Sequence, residues 1–282
     1  MELRRFAEVG EFLDSAGGFL GEREAEHNLI FGICSHLRTN PDMLEDPPYL
    51  ATVSEGGRVV AAALRTPPHR LILSEVDDAR AIALLVADAR RLGLLAGILG
   101  PKEHARAFAD AWTAAGGAPA RLAISERIYR LTTVVPPRPV PGAVRVATQA
   151  DRDLVVAWTE GFMRDAFGEA DPADVTSTAD RWLSGRERTL NLWVDSEPTS
   201  LAGVGGPTPN GIRIGPVYTP PAARRRGYAS ALVAAVSQAA LDAGRQFCFL
   251  FTDLANPTSN HVYQDIGYEP VRDVDAYAFE AP

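Results

Sequence analysis

The stretch Arg213–Ser230 reads RIGPVYTPPAARRRGYAS and predicts a strand, a short basic loop and the start of a helix. The segment Ile212–Thr219 is rich in β-branched and aromatic residues, which favour strands. The pair Pro220-Pro221 ends this strand, because proline donates no backbone N–H to a neighbouring strand. The segment Ala229–Ala243, rich in alanine, leucine and valine, then follows with the period of a helix.

The loop between this strand and helix has the chemistry of an anion site. It contains three consecutive arginines and a glycine: Arg224, Arg225, Arg226 and Gly227. A helix N-terminus presents unpaired backbone N–H groups and partial positive charge, and arginine forks suit phosphate oxygens. Gly227 permits close approach of a ligand or a positive φ, and the small Ala229 and Ser230 leave the first turn open. The loop therefore predicts a diphosphate site, although an arginine-rich turn alone also fits an exposed charged loop. Neither GxGxxG nor GxxxxGK[ST] occurs in this stretch.

Two motifs in order resemble one known family. Arg224-x-x-Gly227-x-Ala229 after a strand is similar to the pyrophosphate loop of the GCN5-related N-acetyltransferases, which reads Gln/Arg-x-x-Gly-x-Gly/Ala. The segment Asn256–Tyr268 resembles the family's Asn…Ser/Ala…Leu-Tyr…Gly-Phe/Tyr segment at the family's spacing. The resemblance covers 143–282, and it implies an α/β fold with a mixed sheet. It also implies an enzyme that transfers acetyl from acetyl-CoA to a primary amine by direct attack.

The resemblance assigns a role to each part of these motifs. In this family the strand splays from its neighbour, so its free backbone groups pair with the pantetheine amides and one N–H faces the thioester oxygen. The loop and helix start hold the diphosphate, and the asparagine and serine downstream are further candidates for cofactor binding. The cofactor-binding residues implied are Val217, Tyr218, Thr219, Arg224, Arg225, Arg226, Gly227, Tyr228, Ala229, Ser230, Asn256 and Ser259. Val217–Thr219 is alternatively a plain central strand, and Asn256 alternatively opens an Asn-Pro turn.

Tyr263 is the catalytic residue that the resemblance implies, as the general acid that protonates the CoA thiolate or as a hydrogen-bond donor to its sulfur. Taken alone, a tyrosine in a short amphipathic helix also fits a core position. The general base is not assigned, although an alkylamine with a pKa of about 10 must lose a proton before it attacks at neutral pH. The carboxylates and imidazole considered for it are Asp253, Glu160, Asp165, Glu169 and His261.

Composition bounds the class of protein. The 282 residues are 46% hydrophobic and 23% charged, with a formal net charge of −8, which argues against nucleic-acid binding. Cys34 and Cys248 lie far apart, so we expect neither a disulfide framework nor a metal site, and we expect a reducing, cytoplasmic location. No signal peptide or membrane span is recognised. The expected partner is a small-molecule or peptide amine, and the chain is expected to be a monomer or homodimer.

The chain length suits two domains, and Thr132–Gly142, TTVVPPRPVPG, predicts a stiff boundary between them. The predicted ranges are 1–134, a linker at 135–142 and a catalytic domain at 143–282. In the first range, periodic apolar residues predict a helix over Glu22–Leu37. The halves share the order hairpin, strand, helix, strand, helix, strand, which predicts two tandem domains of the same fold. The first is expected to be degenerate and not to bind CoA, because its loop Ser74–Ala79 lacks glycine and carries three carboxylates.

Two other functions stay open from the sequence. A transferase of this fold could use another acyl donor. A non-catalytic CoA-binding or regulatory protein would need the loop but not Tyr263, because a sensor has no use for an acid beside the sulfur.

Overall fold

The computed structural model describes residues 1–40, 44, 46–93, 95–168 and 170–280, and of Phe167, Thr258 and Ser259 it describes only the backbone. The chain divides into two compact units. The first unit comprises Met1–Ile128, Thr252–Asn256 and Pro270–Pro282. The second unit comprises Tyr129–Phe251 and Pro257–Glu269.

Helices and strands are interspersed along the described chain. Its first half contains β1 (Glu2–Phe6), α1 (Val9–Gly21), α2 (Asn28–Thr39), β2 (Tyr49–Glu55), β3 (Arg58–Arg65), β4 (Leu71–Leu73), α3 (Arg80–Ala89), β5 (Gly97–Pro101), α4 (Lys102–Ala114) and β6 (Ala120–Leu131). Its second half contains β7 (Ala143–Val146), α5 (Arg152–Phe167), α6 (Pro172–Leu183), β8 (Arg188–Asp195), β9 (Glu197–Gly205), β10 (Gly211–Tyr218), α7 (Tyr228–Asp242), β11 (Phe247–Asp253), α8 (Pro257–Asp265) and β12 (Glu269–Phe279).

The first unit is a mixed sheet with helices on both faces. Its strand order is β1-β2-β3-β4-β5-β12-β6, in which β4 and β5 are parallel and β12 is antiparallel to β5. One face buries apolar side chains of α1 and α2, and the other buries those of α3 and α4. Each fully buried leucine or phenylalanine contributes about 1.5–3 kcal/mol, so the two faces hold the helices to the sheet. The largest of these side chains include Phe12, Leu20, Ile30, Leu64, Leu71, Leu85 and Phe108.

The second unit has the same layering. Its strand order is β11-β10-β9-β8-β7, with β10 parallel to β11 and antiparallel to β9. Leu232 and Val233 of α7 and Ile266 after α8 pack in one core, and Val155 of α5 and Trp182 of α6 pack in the core of the other face. The predicted α/β architecture with a mixed sheet is confirmed.

The unit boundaries differ from the predicted ranges at the C-terminal end. The predicted second domain runs to residue 282, whereas β12 lies in the first unit, where Val274–Ala278 pairs with Pro101–Gly97. The proline-rich segment contains neither helix nor strand and is bound within the second unit. Its Pro141 carbonyl accepts a hydrogen bond of 2.9 Å from the Trp193 indole, and its Val135 N–H donates to the Ile266 carbonyl at 3.0 Å.

Candidate active site

β10 and β11 are paired at one end only. Their parallel ladder joins Gly211 to Phe247, Ile212 to Cys248 and Arg213 to Phe249, and it ends there. On its other edge β10 follows β9 as far as Tyr218. Beyond Arg213, the edge of β10 that faces β11 therefore has no strand partner in the described ladder, and its backbone groups are open to an added strand-like ligand.

A bulge interrupts β10 where the two strands diverge. Ile214 pairs with Val204 and Val217 with Ala202, so Gly215 and Pro216 together oppose a single residue of β9. Proline has no backbone N–H. The N–H of Val217 is therefore the first donor that the strand offers after Gly215.

The helix that follows starts at a glycine. Gly227 precedes α7 with φ 86°, and no side chain caps the helix N-terminus in the described part of the chain. A Cβ at this position would lie 3.0 Å from Cγ1 of Val140. Glycine is favoured here both by the left-handed backbone and by this close neighbour. The first N–H groups of α7, those of Tyr228, Ala229 and Ser230, have no intrahelical partner by helix geometry.

The three arginines have different surroundings. The Arg224 guanidinium donates to the Thr219 carbonyl at 2.9 Å and to the Asp165 carboxylate, so it ties the loop to β10 and α5. Arg225 is exposed and has a positive φ of 61°. Arg226 lies with its Cζ 5.0 Å from the Tyr228 ring centroid. Arg224 therefore holds the loop to its neighbours, while the side chains of Arg225 and Arg226 are exposed beside the helix start.

The side chain of Tyr228 lies in the interior. It is 2% exposed, and its hydroxyl donates to Oδ2 of Asp195 at 2.5 Å. This hydrogen bond raises the pKa of the Tyr228 phenol. The contribution of Tyr228 to an anion site is therefore its backbone N–H, while its ring anchors the start of α7 to β8.

The predicted pantetheine residues fix the end of β10. Tyr218 packs against α5. Its hydroxyl lies so close to Gly161 that a Cβ at position 161 would clash with it, and its ring centroid is 6.1 Å from that of Trp158. The Thr219 hydroxyl is 2.8 Å from the Ser200 hydroxyl, which also donates to the Tyr218 carbonyl at 3.1 Å. Val217 packs against the core on the α7 face. These contacts order the strand end without using its β11-facing edge.

Tyr263 lies on α8 and belongs to the core to which β10 contributes Ile214 and β11 contributes Leu250. Its side chain is 8% exposed and packs edge-on against Tyr268, with 6.1 Å between ring centroids. No hydrogen bond to the Tyr263 hydroxyl is found within the described residues. Burial raises the pKa of the Tyr263 phenol, which therefore stays protonated at neutral pH.

The turn before α8 is built by Asp253. Its carboxylate accepts from the Ala255 N–H at 2.8 Å and its carbonyl from the Asn256 N–H at 3.0 Å, so Asp253 stabilises a local turn. Asn256 lies in the first unit. The side chain of Ser259, the remaining predicted cofactor residue, lies outside the described part of the structure.

The other base candidates are paired with arginines, exposed, or outside the described residues. Glu160 is paired with Arg164 at 2.5 Å, and Asp165 is paired with Arg224. His261 is exposed, and Glu169 lies outside the described residues. The geometry singles out none of them as the base that deprotonates an amine.

The corresponding loop of the first unit supplies its own anions. The Asp78 carboxylate accepts from the Arg80 N–H at 3.0 Å, so a side chain already occupies the N-terminus of α3. Glu75 pairs with Arg272 at 2.6 Å, and its N–H donates to Nε2 of His27 at 2.9 Å. Asp77 pairs with Arg23 at 3.0 Å. The carboxylates of this loop are thus engaged by groups of the first unit, and the absence of CoA binding there stays a prediction.

Other features of the described chain lie apart from these motifs. A surface pocket of about 440 Å³ is lined only by first-unit residues, namely Ile33, Thr66, Pro68, His69, Arg70, Ile72, Ala96 and Leu99. Among the described residues, no group of three or more His, Cys, Asp or Glu side chains is placed to hold a metal. No described helix has both the length and the apolar character needed to cross a bilayer.

Comparison with known proteins finds a family model over part of the chain and solved structures of the same fold. Residues 196–277 match the family model described as FR47-like protein, which spans β9 to β12 and both predicted motifs. A search of the curated proteins finds no match. A Drosophila protein of solved structure is 15% identical, with a TM-score of 0.70 over 99% of this chain and 98% of its own.

Two further solved structures carry the family name. A tandem GNAT protein from the clavulanic acid biosynthesis pathway is 16% identical, with a TM-score of 0.59 over 100% of this chain and 99% of its own. The chain has the fold of the GCN5-related N-acetyltransferases (GNAT). A GCN5-related N-acetyltransferase from Sphaerobacter thermophilus is also similar, at 16% identity and a TM-score of 0.56 over 98% of this chain and 94% of its own. The predicted resemblance to the GNAT family and the tandem GNAT architecture are thus confirmed, and this fold is one that supports acyl transfer.

Sequence reasoning missed residues that support the predicted cofactor strand from behind. Arg188 on β8 and Gly203 on β9 contact the bulge of β10, and Asp165 on α5, which the sequence offered only as a base, holds Arg224. The available signal was glycine inside predicted strands, since such a glycine marks a bulge or a close backbone approach.

Proposed function

We propose that this protein is an acetyl-CoA-dependent N-acetyltransferase whose second unit transfers acetyl to a primary amine by direct attack. The observation that carries the proposal is the divergence of β10 from β11 directly before a glycine-led helix N-terminus. The open strand edge matches the amide-bearing arm of coenzyme A, and the helix start with its arginines matches the diphosphate. When bound, acetyl-CoA supplies the acetyl group as a thioester.

The residues of the chain would divide the work as follows. The N–H of Val217 stands where it can donate to an acyl oxygen as negative charge develops. The neutral amine nitrogen forms a bond to the acetyl carbon, the carbon–sulfur bond breaks with its electron pair moving to sulfur, and the nitrogen releases a proton to solvent. Tyr263 would donate a hydrogen bond to the departing sulfur. The pKa of a phenol already lies above that of a thiol, which is about 8.5, and burial raises the pKa of Tyr263 further. Stabilisation of the thiolate by a hydrogen bond is therefore favoured over complete transfer of the tyrosine proton.

The finer parts of the proposal are a small-molecule or peptide amine as acceptor, acetyl as the acyl group and a cytoplasmic location. A longer acyl donor and a regulatory CoA-binding protein are the alternatives. A protein that binds acetyl-CoA tightly but acetylates no amine in a broad panel would favour the regulatory alternative.

The test is calorimetric titration with acetyl-CoA, comparing Gly227→Ala with Gly244→Ala. Both glycines flank α7 at positive φ, 86° and 93°, so alanine costs about 1–2 kcal/mol of stability at either site. Only Gly227 adjoins the proposed diphosphate loop. We expect one equivalent bound by the wild type and by Gly244→Ala. We expect binding at least about tenfold weaker in Gly227→Ala, which misaligns charge-assisted hydrogen bonds worth about 1.5–3 kcal/mol.

Three results would count against the proposal. Equal affinities for the two variants would remove the loop from the site. Two equivalents in the wild type would show that the first unit also binds the cofactor. Absence of binding in the wild type would exclude acyl transfer from acetyl-CoA.

A further inference from the structure

Arg188 lies behind the bulge of the cofactor strand. It begins β8, and its Nη1 donates a hydrogen bond of 2.5 Å to the carbonyl of Gly215, across the intervening strand β9. The path is open because β9 has glycine where the side chain crosses. A Cβ on Gly205 would lie 2.6 Å from Cβ of Arg188, and a Cβ on Gly203 would lie 3.1 Å from its Cδ.

Gly203 also accommodates the bulge itself. A Cβ there would lie 2.6 Å from the Gly215 oxygen, so this carbonyl folds over β9 instead of projecting along the sheet. Two residues therefore determine where the Gly215 carbonyl lies. Arg188 binds its oxygen, and Gly203 has no side chain to displace it.

The guanidinium of Arg188 is largely buried and only partly hydrogen-bonded, which is energetically unfavourable. Its side chain is 18% exposed, its Cζ lies 5.4 Å from the Trp182 ring centroid, and its nearest carboxylate, that of Glu187, is 3.9 Å away. Its Nε is buried and has no hydrogen-bond partner among the described residues. Burial lowers the pKa of Arg188. A buried charge with an unpaired donor is unfavourable for stability alone, so the presence of Arg188 beside the bulge fits a role in the site.

The Gly215 carbonyl is the group whose direction matters for the chemistry. It precedes Pro216, which has no N–H, and Val217, whose N–H is the first backbone donor after Gly215. A carbonyl oxygen turned toward an acyl oxygen would oppose the negative charge that develops there. Because the Gly215 oxygen is bound to Arg188, it is turned away from the acyl oxygen, and the Val217 N–H is left to face it.

We propose that Arg188 is a positioning residue for acyl transfer, which acts by holding the Gly215 carbonyl so that the Val217 N–H faces the thioester oxygen. The inference rests on the proposed function. It predicts that loss of Arg188 weakens polarisation of the bound thioester much more than it weakens cofactor binding.

The experiment compares the wild type with Arg188→Met, Arg188→Lys and the control Arg181→Met. Arg181 pairs with Glu187 at 3.0 Å on the same side of the sheet and has no hydrogen bond to the bulge. The probe is acetyl-CoA labelled with ¹³C at the thioester carbonyl, whose infrared stretch reports its hydrogen bonding. Calorimetry gives its Kd, and amine acetylation gives kcat and KM.

For Arg188→Met we expect the carbonyl band to move toward its position in free acetyl-CoA, with a Kd within about threefold of the wild type. We expect kcat to fall by about 10- to 100-fold, somewhat less than the 10²–10³ typical for deleting an oxyanion donor. Arg188→Lys retains a donor and should recover part of both effects. Arg181→Met should match the wild type. If Arg188→Met does not fold, the graded shift in Arg188→Lys carries the test.

A folded Arg188→Met or Arg188→Lys with the wild-type band position and kcat would overturn the positioning role and leave the proposed function standing. A wild type that binds no acetyl-CoA would overturn both. A purely structural role predicts lower thermal stability with unchanged band and kcat, and that result also overturns the proposal.

Discussion

Removal of the Tyr263 hydroxyl separates its chemical role from its packing role. The ring is buried and packs edge-on against Tyr268, and phenylalanine retains that packing. Because no described residue hydrogen-bonds to the Tyr263 hydroxyl, Tyr263→Phe leaves no partner unpaired. We therefore expect the free energy of unfolding to change by about 1 kcal/mol or less.

The expected effect on turnover follows from the charge on the departing sulfur. A hydrogen bond to a charged group contributes about 1.5–3 kcal/mol. At 1.36 kcal/mol for each factor of ten, Tyr263→Phe should lower kcat by about 10- to 150-fold. KM for acetyl-CoA should change little, since the ground-state thioester carries no charge on sulfur.

Tyr268→Phe is the matched control. Its hydroxyl is 2.8 Å from the hydroxyl of Ser237, which is fully buried. Removal of the Tyr268 hydroxyl leaves the buried Ser237 hydroxyl without this hydrogen bond. We therefore expect the free energy of unfolding to fall by about 1–3 kcal/mol while kcat is unchanged. The assay is CoA thiol release with the best amine acceptor, together with urea denaturation of each variant. A Tyr263→Phe protein with full kcat would refute the reasoning, as would equal losses of kcat in both variants.

Two further predictions concern the thiols and the acid stability of the protein. Burial raises the pKa of Cys34 to about 12 and that of Cys248 to about 11, so Ellman's reagent at pH 8 should modify neither thiol in the native protein and both in denaturant; a fast native thiol would contradict this. The hydrogen bond from Arg145, supported by Thr148, holds the pKa of the Asp151 carboxyl far below its usual value. The ionised carboxylate therefore stabilises the folded protein above pH about 4, and this contribution is lost as the pH falls further. Asp151→Asn should therefore lower the free energy of unfolding by about 2 kcal/mol at pH 7, and equal stability of the two proteins at pH 7 would refute it.

The strand β10 and the helix α7 could be predicted because local chemistry decides them. The predicted strand Ile212–Thr219 is observed as β10, and the predicted helix Ala229–Ala243 as α7, each within one residue. Pro220-Pro221 ends the strand, and Gly227 provides the left-handed residue from which the helix starts. Such signals act over a few residues and need no knowledge of the rest of the fold.

The predicted helix over Glu22–Leu37 was wrong at its start, for a non-local reason. α2 begins at Asn28, and the preceding residues form turns. The His27 ring is drawn into two contacts, with the Leu20 carbonyl at 2.9 Å and the Glu75 N–H at 2.9 Å. The second partner is remote in sequence, and helical periodicity carries no information about it.

The residues that contact β10 from neighbouring strands could not be predicted either, because these contacts are also non-local. The bond from Arg188 to Gly215 joins residues on β8 and β10, and only the register of the intervening β9 shows that glycines lie beneath it. Motif spacing predicted which groups would face a cofactor. It could not identify the groups behind them, because those come from other strands.

The pairing of β12 with β5 bears on how this protein is made. A ribosome completes β5 early, but the strand that covers its open edge is at the far end of the chain. Until β12 is synthesised, the nascent first unit exposes an unpaired edge of the kind that binds other chains. A gene divided at the proline-rich segment would give one fragment that contains β5 without β12, and another that contains β12 without its pairing partner β5. We therefore expect this protein to be obtained intact from one reading frame and to resist expression as separate halves.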